Sequence, residues 1–157
     1  MIEGTLVAIY TAPEPKVPMA LVPRARAVAG RGLEGDRNFA PAEPTSPPHR
    51  PEDEVTLIEE EAVAAVARES KAPLSPAETR RNLVTRGVAL NHLVGREFTV
   101  GPVRLRGVRL CEPCQQLESM TRPGIVKDLL HRAGLRAEIL GGGVLEPGQP
   151  IRAAGSA

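Results

Sequence analysis

Residues 103–110 of the chain read Val-Arg-Leu-Arg-Gly-Val-Arg-Leu, an alternation of apolar and charged side chains. A period of two is typical of a strand that buries one face. The apolar residues stand at odd positions before Gly107 and at even positions after it, so a bulge at Gly107 would return both sets to one face. We therefore predict a strand over residues 103–110, bulged at Gly107 and leading directly into Cys111.

Short apolar runs punctuated by glycine and proline recur along the rest of the chain, and they too predict strands. They cover Gly4–Thr11, Leu21–Ala29, Val55–Ile58, Asn82–Thr85, Glu97–Val100, Leu135–Leu140 and Gln149–Ala153. Helical spacing favours two helices, over Glu59–Ser70 and Pro123–Ala133, and Ser75 is placed as an N-cap for a further short turn over Ala77–Arg81. Seven or eight strands with few helices predict a mostly β protein, either a barrel or a sandwich.

Composition narrows the class of protein. A chain of 157 residues fits one domain, which we place at residues 1–153 with a tail over 154–157. The segment 40–53 holds five prolines without hydrophobic periodicity and is predicted to be a loop within the domain. A net charge of +1 and an aromatic content of 2% argue against nucleic acid as the partner. No leader-like or membrane-spanning run stands out, so we expect a soluble cytoplasmic protein that binds no membrane.

The two cysteines, Cys111 and Cys114, form a C-x-x-C pair directly after the bulged strand. Pro113 suits the first position of a helix, which would place Cys114 in the first turn, where unpaired N–H groups stabilise a thiolate. Three other interpretations remain open: half of a zinc site, a thioredoxin-like dithiol, and two inert core cysteines.

Several motifs together resemble the MOSC family, named for the C-terminal domain of molybdenum cofactor sulfurases. They are GLEGDR at 32–37, VTLI at 55–58, RRNLVT at 80–85, LVG at 93–95, LCEPC at 110–114, GLRA at 134–137 and GGG at 141–143. The resemblance spans roughly residues 1–153 and indicates a stand-alone bacterial-type member. It implies a β-barrel of about seven to eight mainly antiparallel strands with flanking short helices, and a pocket for a molybdopterin-type molybdenum cofactor.

The resemblance also implies roles for individual residues. Cys114 corresponds to the protein ligand of molybdenum, Arg80 to a partner of the pterin phosphate, and Asn82 to a contact of the pterin or its dithiolene. The resemblance also makes Glu112 and Pro113 candidates for cofactor binding, because they stand where relatives carry a small polar and a basic residue that touch the cofactor. This chain departs from the family in both residue types.

Two further candidates for cofactor binding come from the GLEGDR motif, Asp36 and Arg37. For Asp36 a structural role, in which the carboxylate accepts backbone N–H groups and fixes the loop, is the favoured alternative. The family motif often continues with His, whereas Asn38 stands here. His131, near the end of a predicted helix, is explained by the helix dipole.

Three functions are compatible with these residues. The first is a molybdenum-dependent reductase of N-hydroxylated compounds that receives electrons from a separate reductase. The second is a sulfur carrier that accepts a persulfide on Cys114 from a cysteine desulfurase, a pyridoxal-phosphate enzyme. The third is a ligand-binding barrel with inert cysteines. We expect a chain of this length to have no room for the additional N-terminal domain of eukaryotic-type reductases, so that either cofactor binding is weaker or a second subunit, as in a homodimer, closes the site.

Overall fold

A computed structural model describes residues 2–154 of the chain, so all but the first residue of the predicted tail lies outside the described residues. The strands are β1 (Ile2–Thr11), β2 (Ala20–Val22), β3 (Ala25–Val28), β4 (Gly32–Leu33), β5 (Val55–Glu59), β6 (Leu83–Arg86), β7 (Glu97–Val100), β8 (Val103–Leu110), β9 (Leu135–Gly141), β10 (Gly143–Leu145) and β11 (Pro150–Ala153). The helices are α1 (Glu60–Ser70), α2 (Gln115–Met120) and α3 (Ile125–Leu129). Short 3₁₀ turns cover Pro51–Asp53, Pro76–Thr79 and Leu90–Leu93.

Seven strands close into a barrel, and the prediction of a mostly β barrel is confirmed. Their order around the barrel is β1, β11, β7, β8, β9, β5 and β6, and β6 pairs again with β1. Strand β2 adds to the free side of β1, and β10, β3 and β4 form a separate small sheet. The pair β5–β6 is parallel, whereas the other strand pairs are antiparallel.

The barrel interior is filled by aliphatic side chains, as the low aromatic content predicts. Leu6, Leu57, Leu105 and Ile151 are fully or almost fully buried there, with Phe98 as the aromatic member of the cluster. A second apolar cluster joins the outer face of β5 and β6 to the helices, and it contains Ile58, Val63, Val66, Val84, Leu117, Ile125 and Leu129. These two clusters fix the barrel and hold α2 and α3 against it.

The bulge predicted in β8 is present. The pairing with β9 shifts register between Gly107 and Arg109, so Val108 is the extra residue. Val108 is 37% exposed, which corrects the expectation that the bulge returns it to the inner face. Gly107 is required because a Cβ there would lie 2.2 Å from the carbonyl oxygen of Leu93.

Two elements differ from the sequence prediction. The single strand predicted over 21–29 is two strands, β2 and β3, which belong to different sheets and are separated by Pro23 and Arg24. The helix predicted over 123–133 is only α3, because Leu130 leaves the helical region with ψ of 129°. The backbone N–H of the next residue, His131, donates to the Glu112 carboxylate at 2.7 Å instead of extending the helix.

The small strands β4 and β10 were not predicted, since two- and three-residue strands carry too little pattern to detect. Ser75 does precede a short turn, although the turn spans Pro76–Thr79 and not Ala77–Arg81. Within residues 2–154, none of the helices has both the length and the apolar character needed to cross a bilayer.

Candidate functional site

One cleft of about 300 Å³ is lined by both cysteines and by the two arginines that the sequence singles out, Arg37 and Arg80. It lies where loops that follow or precede β1, β4, β5, β6 and β8 meet α2 and β9. Its lining residues are Pro15, Arg37, Asn38, Asp53, Thr56, Arg80, Arg81, Cys111, Cys114, Gln116, Leu117 and Arg136. This volume is at the lower end of the range of small-molecule sites.

Cys114 is exposed in this cleft and carries a free thiol. It is the N-cap of α2 with extended backbone angles, φ −125° and ψ 171°, and its carbonyl accepts the N–H of Glu118 at 3.2 Å. The prediction that Pro113 is the first helical residue and Cys114 lies in the first turn is therefore wrong by two residues, since the helix starts at Gln115. The residue that carries this thiol therefore lies directly before the helix and is exposed to solvent.

Cys111 differs from Cys114 in its surroundings. It follows directly after β8, is 1% exposed, and its backbone N–H donates to the carbonyl oxygen of Gly134 at 2.7 Å. Although it lines the cleft wall, it offers almost no accessible surface. Of the two thiols, Cys114 is the one that an incoming molecule can reach.

Arg81 stabilises the turn that carries the two cysteines, residues 111–114. Its guanidinium is buried and donates to three carbonyl oxygens, those of Ala133 at 2.8 Å, Thr79 at 3.1 Å and Cys111 at 2.9 Å. Burial lowers the pKa of Arg81, and the nearby sulfur atoms of Cys111 and Cys114 act in the opposite direction. Because all three hydrogen-bond acceptors are neutral, this guanidinium leaves a positive charge close to both thiols.

Arg80 and Arg37 form another part of the wall. Arg80 donates through Nη1 to the carbonyl oxygen of Val17 at 2.7 Å, whereas its buried Nη2 finds no hydrogen-bond partner among residues 2–154. Burial, and then the charge of Arg37, lower the pKa of Arg80. Arg37 is itself held by the Asp36 carboxylate and by the carbonyl oxygen of Arg80, each at 3.1 Å. Arg80 thus has spare hydrogen-bonding capacity, and Arg37 keeps it in position.

Asp36 is buried and does not line the cleft. Its carboxylate accepts the backbone N–H groups of Ala12 at 3.1 Å and Asn38 at 3.3 Å, besides the guanidinium of Arg37. These contacts fit the structural alternative, in which Asp36 fixes the loop that carries Arg37 and Asn38.

Asn82 lies behind the cleft wall and is fully buried. Its Oδ1 accepts the backbone N–H of Thr56 at 3.1 Å and the Thr56 hydroxyl at 3.2 Å, and its Nδ2 donates to the carbonyl oxygen of Tyr10 at 3.1 Å. The amide is therefore occupied by the protein itself. Its link to the cleft is indirect, through Thr56, which does line it.

The two residues inside the C-x-x-C turn are half-buried and do not line the cleft. The Glu112 carboxylate contacts His131 twice. Its Oε1 accepts the backbone N–H of His131 at 2.7 Å, and its Oε2 lies 2.6 Å from Nδ1 of the His131 ring. The dipole explanation for His131 is therefore wrong, because α3 ends before it and Glu112 holds it directly. Pro113 separates this contact between Glu112 and His131 from Cys114.

The sequence reasoning missed Asp53 and Arg136 as members of the site. Arg136 lies on β9 and Asp53 ends the turn before β5, and Arg136 Nη1 is 3.1 Å from Asp53 Oδ1. Arg136 Nε is buried and lacks a partner within the described part of the chain. The one signal in the sequence was that Arg136 is a charged residue inside the apolar GLRA motif. No local pattern links Arg136 to Asp53, which lies 83 positions earlier.

The charges of the cleft lining are unequal, with four arginines and one carboxylate, that of Asp53. A concave surface with this balance attracts anions. Among residues 2–154 no group of three or more His, Cys, Asp or Glu side chains is arranged to hold a metal ion.

Comparisons with known proteins agree with this fold. A model of the MOSC domain matches residues 37–152. The crystal structure of YuaD from Bacillus subtilis has a TM-score of 0.81 at 16% identity, over 96% of this chain and 94% of that chain. The crystal structure of YiiM from Geobacillus stearothermophilus has a TM-score of 0.75 at 14% identity, over 97% of this chain and 75% of that chain. The crystal structure of YiiM from Escherichia coli has a TM-score of 0.71 at 17% identity, over 100% of this chain and 72% of that chain. A search of curated proteins gave no match.

Proposed function

The chain belongs to the MOSC domain family, which is associated with molybdenum cofactor binding, and on that premise we propose that its cleft binds a molybdopterin-type molybdenum cofactor with Cys114 as the protein ligand of the metal. The observation that carries this proposal is the exposed Cys114 thiol inside a cleft lined by four arginines. When bound, the cofactor would supply two-electron reduction of N-hydroxylated compounds, with electrons from a separate reductase.

The donor set of the cleft fits such a group. Molybdenum favours soft sulfur donors, and a thiolate is the protein side chain that provides one. A pterin dithiolene brings its own sulfur ligands, which is compatible with a cleft that lacks a protein-only metal cluster among the described residues. Cys111 is too buried to serve in place of Cys114.

The anionic part of the cofactor requires cationic partners, and the cleft provides them. The Arg80 guanidinium has an Nη2 atom with no hydrogen-bond partner in the described chain, and a planar guanidinium suits a phosphate. Arg37 supports Arg80 by donating to its carbonyl oxygen at 3.1 Å. In this proposal Arg80 binds the phosphate, Arg37 positions Arg80, and Arg81 holds the turn that carries Cys114.

Metal and pterin analysis of protein purified from a host that makes molybdenum cofactor tests the proposal. We expect molybdenum and pterin in close to equal amounts, both retained through size-exclusion chromatography. Protein from a host strain unable to make the cofactor is the control and should contain neither. Purified protein from the cofactor-making host that is correctly folded but free of both would contradict the proposal.

A second candidate function is supported by the exposure of Cys114 at the start of α2, where another protein can reach it. In that role Cys114 accepts a sulfur atom as a persulfide from a cysteine desulfurase and passes it on. Tandem mass spectrometry after incubation with a desulfurase and cysteine, with fragmentation between Cys111 and Cys114, should then place one added sulfur on Cys114. An adduct confined to Cys111, or no adduct at all, would exclude the carrier role.

A further inference from the structure

Asp53 provides the only carboxylate in the lining of the cleft, as far as the structure describes the chain. Its Oδ1 lies 3.1 Å from Nη1 of Arg136, and both side chains are about one quarter exposed. This guanidinium is one of the four in the cleft lining to which an anionic ligand can bind. Asp53 therefore already occupies the position that a bound anion would take at Arg136.

The contact between Asp53 and Arg136 leaves donors of the guanidinium unused. One Nη1 contact joins the two side chains, while the buried Nε of Arg136 has no partner among the described residues. A guanidinium forms its strongest pairs with an oxyanion that accepts two N–H groups side by side. A ligand oxyanion that accepts from Nη1 and Nη2 side by side would bind Arg136 better than Asp53 does with its single contact, and it must take Nη1 from Asp53 to do so.

Asp53 also has an alternative counter-ion outside the cleft. Arg50 donates to Oδ2 of Asp53 through Nε at 2.9 Å and to Oδ1 through Nη2 at 3.1 Å, and Arg50 is well exposed. When Asp53 leaves Arg136, its charge stays paired with Arg50. The cost of separating Asp53 from Arg136 is correspondingly low.

We propose that Asp53 is a displaceable internal anion, which occupies Arg136 in the ligand-free protein and is replaced there by an oxyanion group of the ligand. The inference rests on the proposed function, because it concerns the same cleft, and it assigns Arg136 as a second oxyanion-binding residue beside Arg80. Asp53 then sets the minimum affinity that an anion needs in order to bind Arg136. Ligands whose oxyanion pairs with two N–H groups displace Asp53, whereas anions that bind more weakly do not.

Displacement also has a structural consequence for the turn Pro51–Asp53. The backbone N–H of Asp53 donates to the carbonyl oxygen of Arg50 at 3.0 Å, and that of Glu54 donates to the carbonyl oxygen of Pro51 at 3.1 Å. Within the described part of the chain, the Asp53 side chain is one of two that link this segment to β9: it contacts Arg136, and the Glu54 carboxylate accepts the backbone N–H of Ile139 at 2.8 Å. Once the contact with Arg136 is released, the two amide groups should exchange their hydrogens faster.

Titration calorimetry with inorganic pyrophosphate, on cofactor-free protein at about 0.15 M salt, tests the proposal. Asp53→Asn keeps the shape of the side chain and should tighten pyrophosphate binding about fivefold, the size expected for a partly exposed ion pair. Glu52→Gln is the matched control, because it removes the same charge from the neighbouring residue, whose carboxylate pairs with Arg109 and, at 3.5 Å, with Arg50, both outside the cleft lining. It therefore also tests whether loss of a carboxylate beside Arg50 is enough to change the affinity. Screening should keep its effect below about twofold.

A double-mutant cycle distinguishes displacement of Asp53 from a general change in the electrostatic field of the cleft. In the Arg136→Gln background, Asp53→Asn should change pyrophosphate affinity by less than about twofold. Equal gains from Asp53→Asn with and without Arg136 would overturn the proposal, as would the absence of pyrophosphate binding to both wild type and Asp53→Asn.

Hydrogen exchange of wild-type protein does not depend on any variant folding. Saturating pyrophosphate should speed exchange of the Asp53 and Glu54 amides, and unchanged or slower exchange would overturn the displacement. None of these measurements involves molybdenum or sulfur on Cys114. Failure of the displacement model is therefore distinguishable from failure of the proposed cofactor function.

Discussion

Replacing Cys114 by serine is expected to lower bound molybdenum to less than about a tenth of the wild-type content, in protein from the same cofactor-making host. Serine keeps the size of the side chain but replaces a soft sulfur donor with a hard hydroxyl that stays protonated at neutral pH. The pterin phosphate would retain its arginine partners, so we expect residual pterin to fall less steeply than molybdenum. Elemental and pterin analysis of the same sample measures both.

Cys111 supplies the matched control, because it lies three residues away, lines the same cleft, and is buried. Cys111→Ala avoids placing a hydroxyl in an apolar environment and should keep most of the molybdenum. Thermal unfolding of both variants establishes that each is folded. Folded Cys114→Ser protein with wild-type molybdenum, or loss of the metal from folded Cys111→Ala alone, would contradict the assignment of Cys114 as the ligand.

The sequence predicted the strand framework well where the pattern was local. Strand β8 and its bulge followed from the change of phase at Gly107, and the register shift lies there. The short α3 could not be predicted, because its end depends on Glu112, which lies thirteen residues before α3 begins. Apolar spacing continues to Ala133, but a tertiary hydrogen bond takes the backbone out of the helix.

The site was predicted in part for the same reason. Cys114, Arg80 and Arg37 stood out through motifs, and the structure brings all three to one cleft. The sequence could not show that Asn82 faces Thr56 or that Glu112 faces His131, because each pairing joins distant segments. Side chains of similar chemistry can line a cleft or support its wall, and only the fold decides between these positions.

The pairing of Asp53 with Arg136 is the clearest example of what a single sequence hides. Asp53 lies in the proline-rich loop, and Arg136 lies on a strand predicted for the core. Their contact depends on the antiparallel pairing of β5 with β9, in which Thr56 lies opposite Arg136. Neither residue has a local pattern that indicates a role in binding.

Gly134→Ala is expected to destabilise the protein by about 3 kcal/mol or more, which corresponds to a fall in Tm of roughly 10 °C. Gly134 has φ of +112°, and a Cβ there would lie 1.9 Å from the carbonyl oxygen of Leu57. Because that oxygen belongs to the backbone of β5, the clash can be relieved only by moving β5 or β9. Thermal and chemical denaturation measure the loss.

Gly148→Ala separates the two causes, because Gly148 also has a positive φ, +95°, but a Cβ there would meet no atom within 4 Å. It should lose only the cost of the backbone conformation, about 1 kcal/mol. Similar losses in the two variants would show that the clash is absorbed without cost. The substitution at Gly134 should also disturb the cleft. The carbonyl oxygen of Gly134 accepts the backbone N–H of Cys111, and the carbonyl oxygen of the preceding Ala133 accepts Nε–H of Arg81. A displaced Gly134 therefore loosens the turn that presents Cys114, so bound molybdenum should fall together with stability.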